Sequence, residues 1–115
     1  MISKREAADK MEKRVCKIVN GFQSSNSGAG NFQKSDVFNK QASLSCECKC
    51  VMTEKNSVSI KIEWLTKHKQ ESNSMLLYNP CLAIDFGPDT ELYFLIDAKL
   101  MRYLTEKLEE DNGVI

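Results

Sequence analysis

Residues 44–50 read Leu-Ser-Cys-Glu-Cys-Lys-Cys, and no stretch of the chain restricts its fold more. Strict alternation over seven residues has the period of an extended strand, not of a helix. Leu44, Cys46, Cys48 and Cys50 therefore share one face, and Ser45, Glu47 and Lys49 share the other. A lone strand with one apolar face is not stable in water; it needs sheet neighbours and a layer to cover the thiol face. An all-helical fold is excluded.

The remaining elements follow from periodicity and punctuation. Ala8, Met11, Val15, Ile18 and Val19 recur every three or four residues, which predicts a helix over 3–20. Ser3 with Glu6 three residues on is a capping-box pattern, and Gly21 is placed to end the helix. A short strand over 21–24 precedes the small, polar loop Ser24-Ser25-Asn26-Ser27-Gly28-Ala29-Gly30-Asn31. A second strand starts at Asp36-Val37-Phe38, and the alternating strand covers 43–51. A helix over 59–74 carries Ile62, Leu65 and His68, with Met75 next to it, near one face. Strands over 81–86 and 91–96 flank the turn Gly87-Pro88-Asp89-Thr90. Asp97 is a suitable N-cap for a last helix with Leu100, Met101, Leu104 and Leu108 on one side. The order is helix, three strands, helix, two strands, helix. This predicts an α/β (α+β) fold with a single mixed sheet flanked by helices, in one domain over 1–115.

Composition narrows the function classes. The chain of 115 residues is 42% hydrophobic and 28% charged, enough to bury a core without disulfides or metals. No apolar run approaches the roughly 18 residues of a membrane span. The charged opening MISKREAADK is read as carrying no signal peptide. Five cysteines, an odd number, with three of them alternating along one strand, suit a reducing intracellular compartment. Formal net charge is zero, but residues 1–69 hold 13 Lys/Arg against 7 Asp/Glu and residues 70–115 hold 3 against 9. A basic portion with a balance of +6 suits a polyanionic partner, and Arg14, Lys34, Lys55 and Lys61 are the candidates for contacting it.

Glu47 and Lys49 sit side by side on the face turned away from the thiols. Such a pair on a strand is most often a solvated ion pair, so its neighbours matter. Asp36 stands eleven residues earlier, where antiparallel pairing brings two carboxylates together. Close carboxylates raise each other's pKa unless a cation lies between them, and hard oxygen ligands of this kind suit magnesium or manganese. A third carboxylate is available on the first helix. At about 100° per residue Glu12 falls at the border of the apolar stripe and Glu6 falls in solvent, so Glu12 is the one chosen. The Ser25–Gly30 loop has the hydroxyls and free N–H groups that cradle phosphates.

The ordered set Glu12, Ser27-Gly28-Ala29-Gly30, Lys34-Ser35-Asp36-Val37 and Glu47-Cys48-Lys49 resembles the PD-(D/E)XK nuclease superfamily. Within it the chain is most similar to small Holliday-junction resolvases of phages and archaea, over about residues 10–86. Ser35 departs from the Pro or Gly that usually precedes the aspartate. The resemblance implies a restriction-endonuclease-like αβββαβ core and Mg2+-dependent endodeoxyribonuclease activity, with Mn2+ able to substitute. It implies that Glu12, Asp36, Glu47 and the Cys48 backbone carbonyl ligate the metal. Lys49 would position or activate the attacking water, and Ser27 would contact the DNA backbone. Branched DNA would be the partner, and two nicks in a two-fold symmetric junction call for a homodimer. Related readings are a nuclease acting on duplex or damaged DNA and a non-catalytic DNA-binding module of the same fold.

The chain also admits rivals. Cys46-x-Cys48-x-Cys50 invites a zinc site, but zinc knuckles space their ligands differently and alternation drives these thiols into the core. His68, the one histidine, reads as a satisfied core residue, and Trp64 as a packing residue.

Overall fold

The structure, a computed structural model, describes residues 2–24 and 36–114. Elements run α1 (Lys4–Val19), β1 (Phe22–Gln23), β2 (Val37–Asn39), β3 (Leu44–Lys49), α2 (Ile62–Ser74), β4 (Asn79–Ile84), β5 (Tyr93–Ile96) and α3 (Ala98–Glu110). The five strands form one mixed sheet in the order β1-β2-β3-β4-β5. β3 and β4 are parallel and every other pairing is antiparallel. Parallel neighbours need a crossover, and α2 provides it. The fold is α+β, a single mixed sheet flanked by helices, with the elements in the order expected.

Alternation in β3 sorts the two faces. Cys46 is fully buried and belongs to the core with Met11, Val15, Val37, Cys81 and Ala83, while Leu44, Cys48 and Cys50 pack against it. This is the face that α1 covers. The other face of β3 carries Ser45, Glu47 and Lys49, and α2 packs on that side, with His68 Nε2 donating to the Ser45 carbonyl at 3.0 Å. Ser72, also buried on α2, hydrogen-bonds the Leu77 carbonyl and ties the end of the helix to the start of β4.

The caps agree with the sequence at one end of α1 and differ at the other. Ser3 Oγ accepts from Glu6 N–H at 3.1 Å and Glu6 Oε1 accepts from Ser3 N–H at 3.3 Å, a complete capping box. At the C-terminus Asn20, not Gly21, takes the left-handed conformation (φ 53°, ψ 45°). Gly21 answers a different need: a Cβ there would stand 2.6 Å from the Phe38 carbonyl oxygen, so only glycine lets the chain enter the sheet this close to β2.

Other expectations need correction. Ala7 is buried where Ala8 is half-buried, and Ile18 is 57% exposed, because it lines an open groove shared with α3. α2 begins at Ile62, not residue 59, since Lys61 is still extended (φ −90°, ψ 135°), and Ile62 in its first turn is exposed. β3 stops at Lys49; beyond it Val51 N–H turns to Asp85 Oδ1 at 3.4 Å. Asp97 caps α3 as expected, accepting from Leu100 N–H at 2.8 Å. The apolar side of α3 is not core, however: none of its residues is buried, and Met101 and Leu104 are exposed.

Candidate active site

On the α2 side of the sheet, Asp36, Glu47, Lys49, Trp64, Lys67, His68 and Glu71 line a cavity of about 310 Å3. Strand geometry places Glu47 and Lys49 there, two residues apart on one face. Lys49 Nζ lies 3.6 Å from Glu47 Oε2 and 4.5 Å from the centre of the Trp64 ring. α2 supplies the opposite wall, because residues 64, 67, 68 and 71 follow the i, i+3, i+4, i+7 row of one helical face.

Asp36 enters from the head of β2. Val37 pairs with Cys46, so Asp36 stands beside the position of Glu47 across the antiparallel ladder. Its N–H donates to the Cys46 carbonyl at 3.1 Å and its Oδ2 accepts from Cys48 N–H at 2.8 Å. The carboxylate is thus anchored at the residue between Glu47 and Lys49. Glu47 responds to this setting: burial first, and the Asp36 charge second, push its carboxyl up to about 7, against the opposing pull of Lys49. Glu71 adds to the push. A carboxyl pair short of positive charge is what a divalent cation relieves, and one or two carboxylates are the usual protein share of a magnesium site.

Glu12 is buried at 8% exposure, while Glu6 is exposed in its capping box. The border position expected of Glu12 is therefore its real position. It lies on the α1 side of the sheet, where Gln23 Nε2 donates to Glu12 Oε1 at 3.2 Å and to Asp9 Oδ1 at 2.9 Å. Burial raises the Glu12 carboxyl, Gln23 opposes the rise, and the charges of Asp36 and Asp9 add to it. Asp36 thus presses electrostatically on both Glu12 and Glu47. The three carboxylates do not converge into one group. Among the described residues no group of three or more His, Cys, Asp or Glu side chains is gathered to hold a metal ion. The cause is geometric: Glu12 approaches from the far face, and Asp36 is turned onto a backbone N–H.

The basic residues fare unequally. Arg14 is not a free surface cation: its Nη2 donates to the Thr90 carbonyl at 2.7 Å and fastens α1 to the turn before β5. Lys61 is exposed at the start of α2, its Nζ 5.9 Å from the Trp64 ring, on the rim of the cavity. Lys55 is exposed, and its backbone N–H is taken by the Phe86 carbonyl at 2.7 Å. Ser27 and Lys34, with the whole Ser-Gly loop, lie outside the described residues.

The zinc rival finds no site. Cys46 Sγ and Cys81 Sγ meet in the core at 2.8 Å across the parallel strand pair, and Cys48 sits on the same face. Burial pushes the Cys48 thiol up, which makes it a poor ligand or nucleophile. His68 is buried as expected, but it is only half satisfied: Nδ1 has no partner among the described residues. Trp64 is more than packing, since its ring faces the Lys49 ammonium. Lys67 and Glu71 were not singled out by sequence reasoning. The signal was available, as residues at 64, 67, 68 and 71 share a helical face with the one aromatic-cation pairing near Glu47.

No known protein family matches the chain, and no curated protein and no solved structure matches it either.

Proposed function

We propose that the chain is a metal-dependent endonuclease that cleaves phosphodiester bonds in branched DNA, four-way junctions above all. The observation that carries this reading is the grouping of Asp36, Glu47 and Lys49 around one cavity, with Glu12 behind Asp36. The element order and the mixed sheet also suit a restriction-endonuclease-like core. Asp36 and Glu47 would hold Mg2+ or Mn2+, with the Cys48 carbonyl and Glu12 as further oxygens. A cation held there lowers the pKa of a bound water and neutralises charge on the phosphate. Lys49 would orient the attacking water, and Lys61 and Lys67 at the cavity would meet phosphate oxygens.

A protomer offering one such cavity among its described residues would need a partner for paired cuts in a two-fold junction, which favours a homodimer. Five free cysteines favour a reducing, intracellular setting. No helix among the described residues is long and apolar enough to cross a membrane.

A second reading, a DNA-binding module without catalysis, draws on the Asp36–Cys48 hydrogen bond and on the divergence of Glu12 from Glu47. One assay separates the two. Nicking of a four-way junction but not of linear duplex, dependent on magnesium, supports the resolvase reading. Equal cutting of both substrates moves the proposal to a general nuclease. Binding without cutting at any magnesium or manganese concentration leaves the binding module.

A further inference from the structure

We propose that Trp64 is a positioning residue: its ring holds the Lys49 ammonium off Glu47. This leaves the carboxylate open to a cation and the ammonium open to the attacking water. The inference rests on the nuclease reading for its purpose, but not for its geometry. Lys49 and Glu47 are two residues apart on one face, with their side chains 32% and 25% exposed. A charge-assisted hydrogen bond between such a pair would be about 2.7–2.9 Å long. The pair stands instead at 3.6 Å. The Trp64 ring takes up the difference: Nζ is 4.5 Å from its centroid, well inside the roughly 6 Å reach of a cation–π contact, and tryptophan has the strongest ring of the three aromatics.

Among the described residues the competing neighbours are as follows. Asp36 is engaged by Cys48 N–H. Lys61 reaches the same ring only at 5.9 Å, from an exposed position. Lys67 and Glu71 stand farther along α2 on the same cavity. The ring itself is set by the first turn of α2, where Trp64 N–H donates to the Lys61 carbonyl at 3.0 Å. In a leucine variant the ammonium would fall onto Glu47, competing with the cation for that carboxylate and withdrawing from the water.

The test has an arm that needs no activity. Trp64 is the single tryptophan, so NMR of the intact protein reads its ring current on Lys49 directly. The Lys49 ε-methylene protons are expected upfield of those of other lysines, and an ordinary shift overturns the pairing. The second arm follows nicking of a four-way junction across a magnesium titration. Trp64→Leu is expected to lower kcat about tenfold, the size of a partly desolvated cation–π contact, and to raise the magnesium requirement. DNA affinity should stay within about twofold, and Trp64→Phe should restore most of the rate. Equal losses in the Leu and Phe variants, or a loss in DNA affinity alone, would overturn the positioning role. A wild-type protein that never nicks DNA overturns the nuclease reading and with it the purpose given to Trp64. An upfield Lys49 signal in that protein would uphold the pairing alone.

Discussion

Asp36 closes a 2.8 Å hydrogen bond onto the backbone N–H of Cys48, the residue between Glu47 and Lys49. One carboxylate is thereby locked to the strand that carries the other two polar site residues. The bond also holds Asp36 beside Cys48, whose carbonyl is a further oxygen of the proposed metal site. Asp36→Asn keeps the shape, removes the charge and can still accept from Cys48 N–H through its Oδ1. It is expected to abolish magnesium-dependent cleavage and to bring the Glu47 pKa down. NMR titration of Glu47 in the variant checks the second point, and an unchanged Glu47 would show that burial alone raises it.

Lys49→Ala should remove cleavage and spare junction binding, because the proposed role of this ammonium is at the water and other cations supply most of the DNA contact. Nicking and gel-shift measurements on the same preparation decide it. Cleavage at the wild-type rate would reject Lys49 as a site residue.

Glu12→Gln and Glu6→Gln form a matched pair on one helix. Glu12 is buried beside Gln23 and feels Asp36; Glu6 completes a cap in solvent. The first is expected to lower nicking strongly, with partial rescue by raised magnesium or by manganese. The second should leave the rate alone and cost about 0.5 kcal/mol of stability or less. Rates across a metal titration, with thermal melts alongside, separate the two. A dead Glu6 variant beside an active Glu12 variant would shift the site to the other end of α1.

Glu47 couples stability to pH. Its carboxyl titrates near 7 when folded, against an ordinary 4.5. Below 4.5 it is neutral in both states and contributes no penalty. Between 4.5 and 7 the unfolded chain ionises while the folded protein keeps the proton against burial and Asp36, so stability falls across this window and levels off above 7. In chelator, wild type should lose on the order of 1–3 kcal/mol more than Glu47→Gln between pH 5 and pH 8, and magnesium should reduce the difference. Denaturant melts at the two pH values measure it. Parallel losses in both proteins would place the titration elsewhere.

DNA affinity should fall steeply with salt through counterion release. Lys61→Ala should reduce the salt slope by about one phosphate contact, and Arg14→Ala should leave the slope unchanged while lowering stability, since Arg14 holds Thr90. A flat salt response would remove the electrostatic part of the reading.

What the sequence made legible tracks what is local. The period of two at 44–50 and the Ser3/Glu6 and Asp97 caps depend on neighbours within a few residues, and they are found in place. The border position of Glu12 follows from the same helical arithmetic. Three kinds of information were not local. Whether Ile18 or Leu104 is covered depends on which elements meet them, and periodicity reports only that a face is apolar. Arg14 looked like a surface cation because its partner, Thr90, is 76 residues away. The approach of the three carboxylates depends on which face of the sheet each element takes. The packing of α1 opposite α2 and the turn of Asp36 onto Cys48 N–H keep Glu12, Asp36 and Glu47 from forming one group. Trp64 was visible as an aromatic on a helix; its role needed the crossover that lays α2 over β3.

That crossover has a consequence for how the cavity is assembled. β3 and β4 are joined by Cys46 and Cys81, 35 residues apart. Glu47, Lys49, Trp64, Lys67 and Glu71 all lie within the loop this pairing closes. Closing such a loop is opposed by chain entropy before any of its contacts form, and non-local pairing of this kind slows folding. A chain synthesised as far as the end of α2 would already contain every described residue of the cavity, yet lack the strand that anchors both walls. The cavity therefore depends on a strand pairing that is not local in sequence. Destabilisation at β4, which lines none of the cavity but pairs Leu82 with Glu47 and Ile84 with Lys49, is expected to disrupt the cavity without touching a charged group.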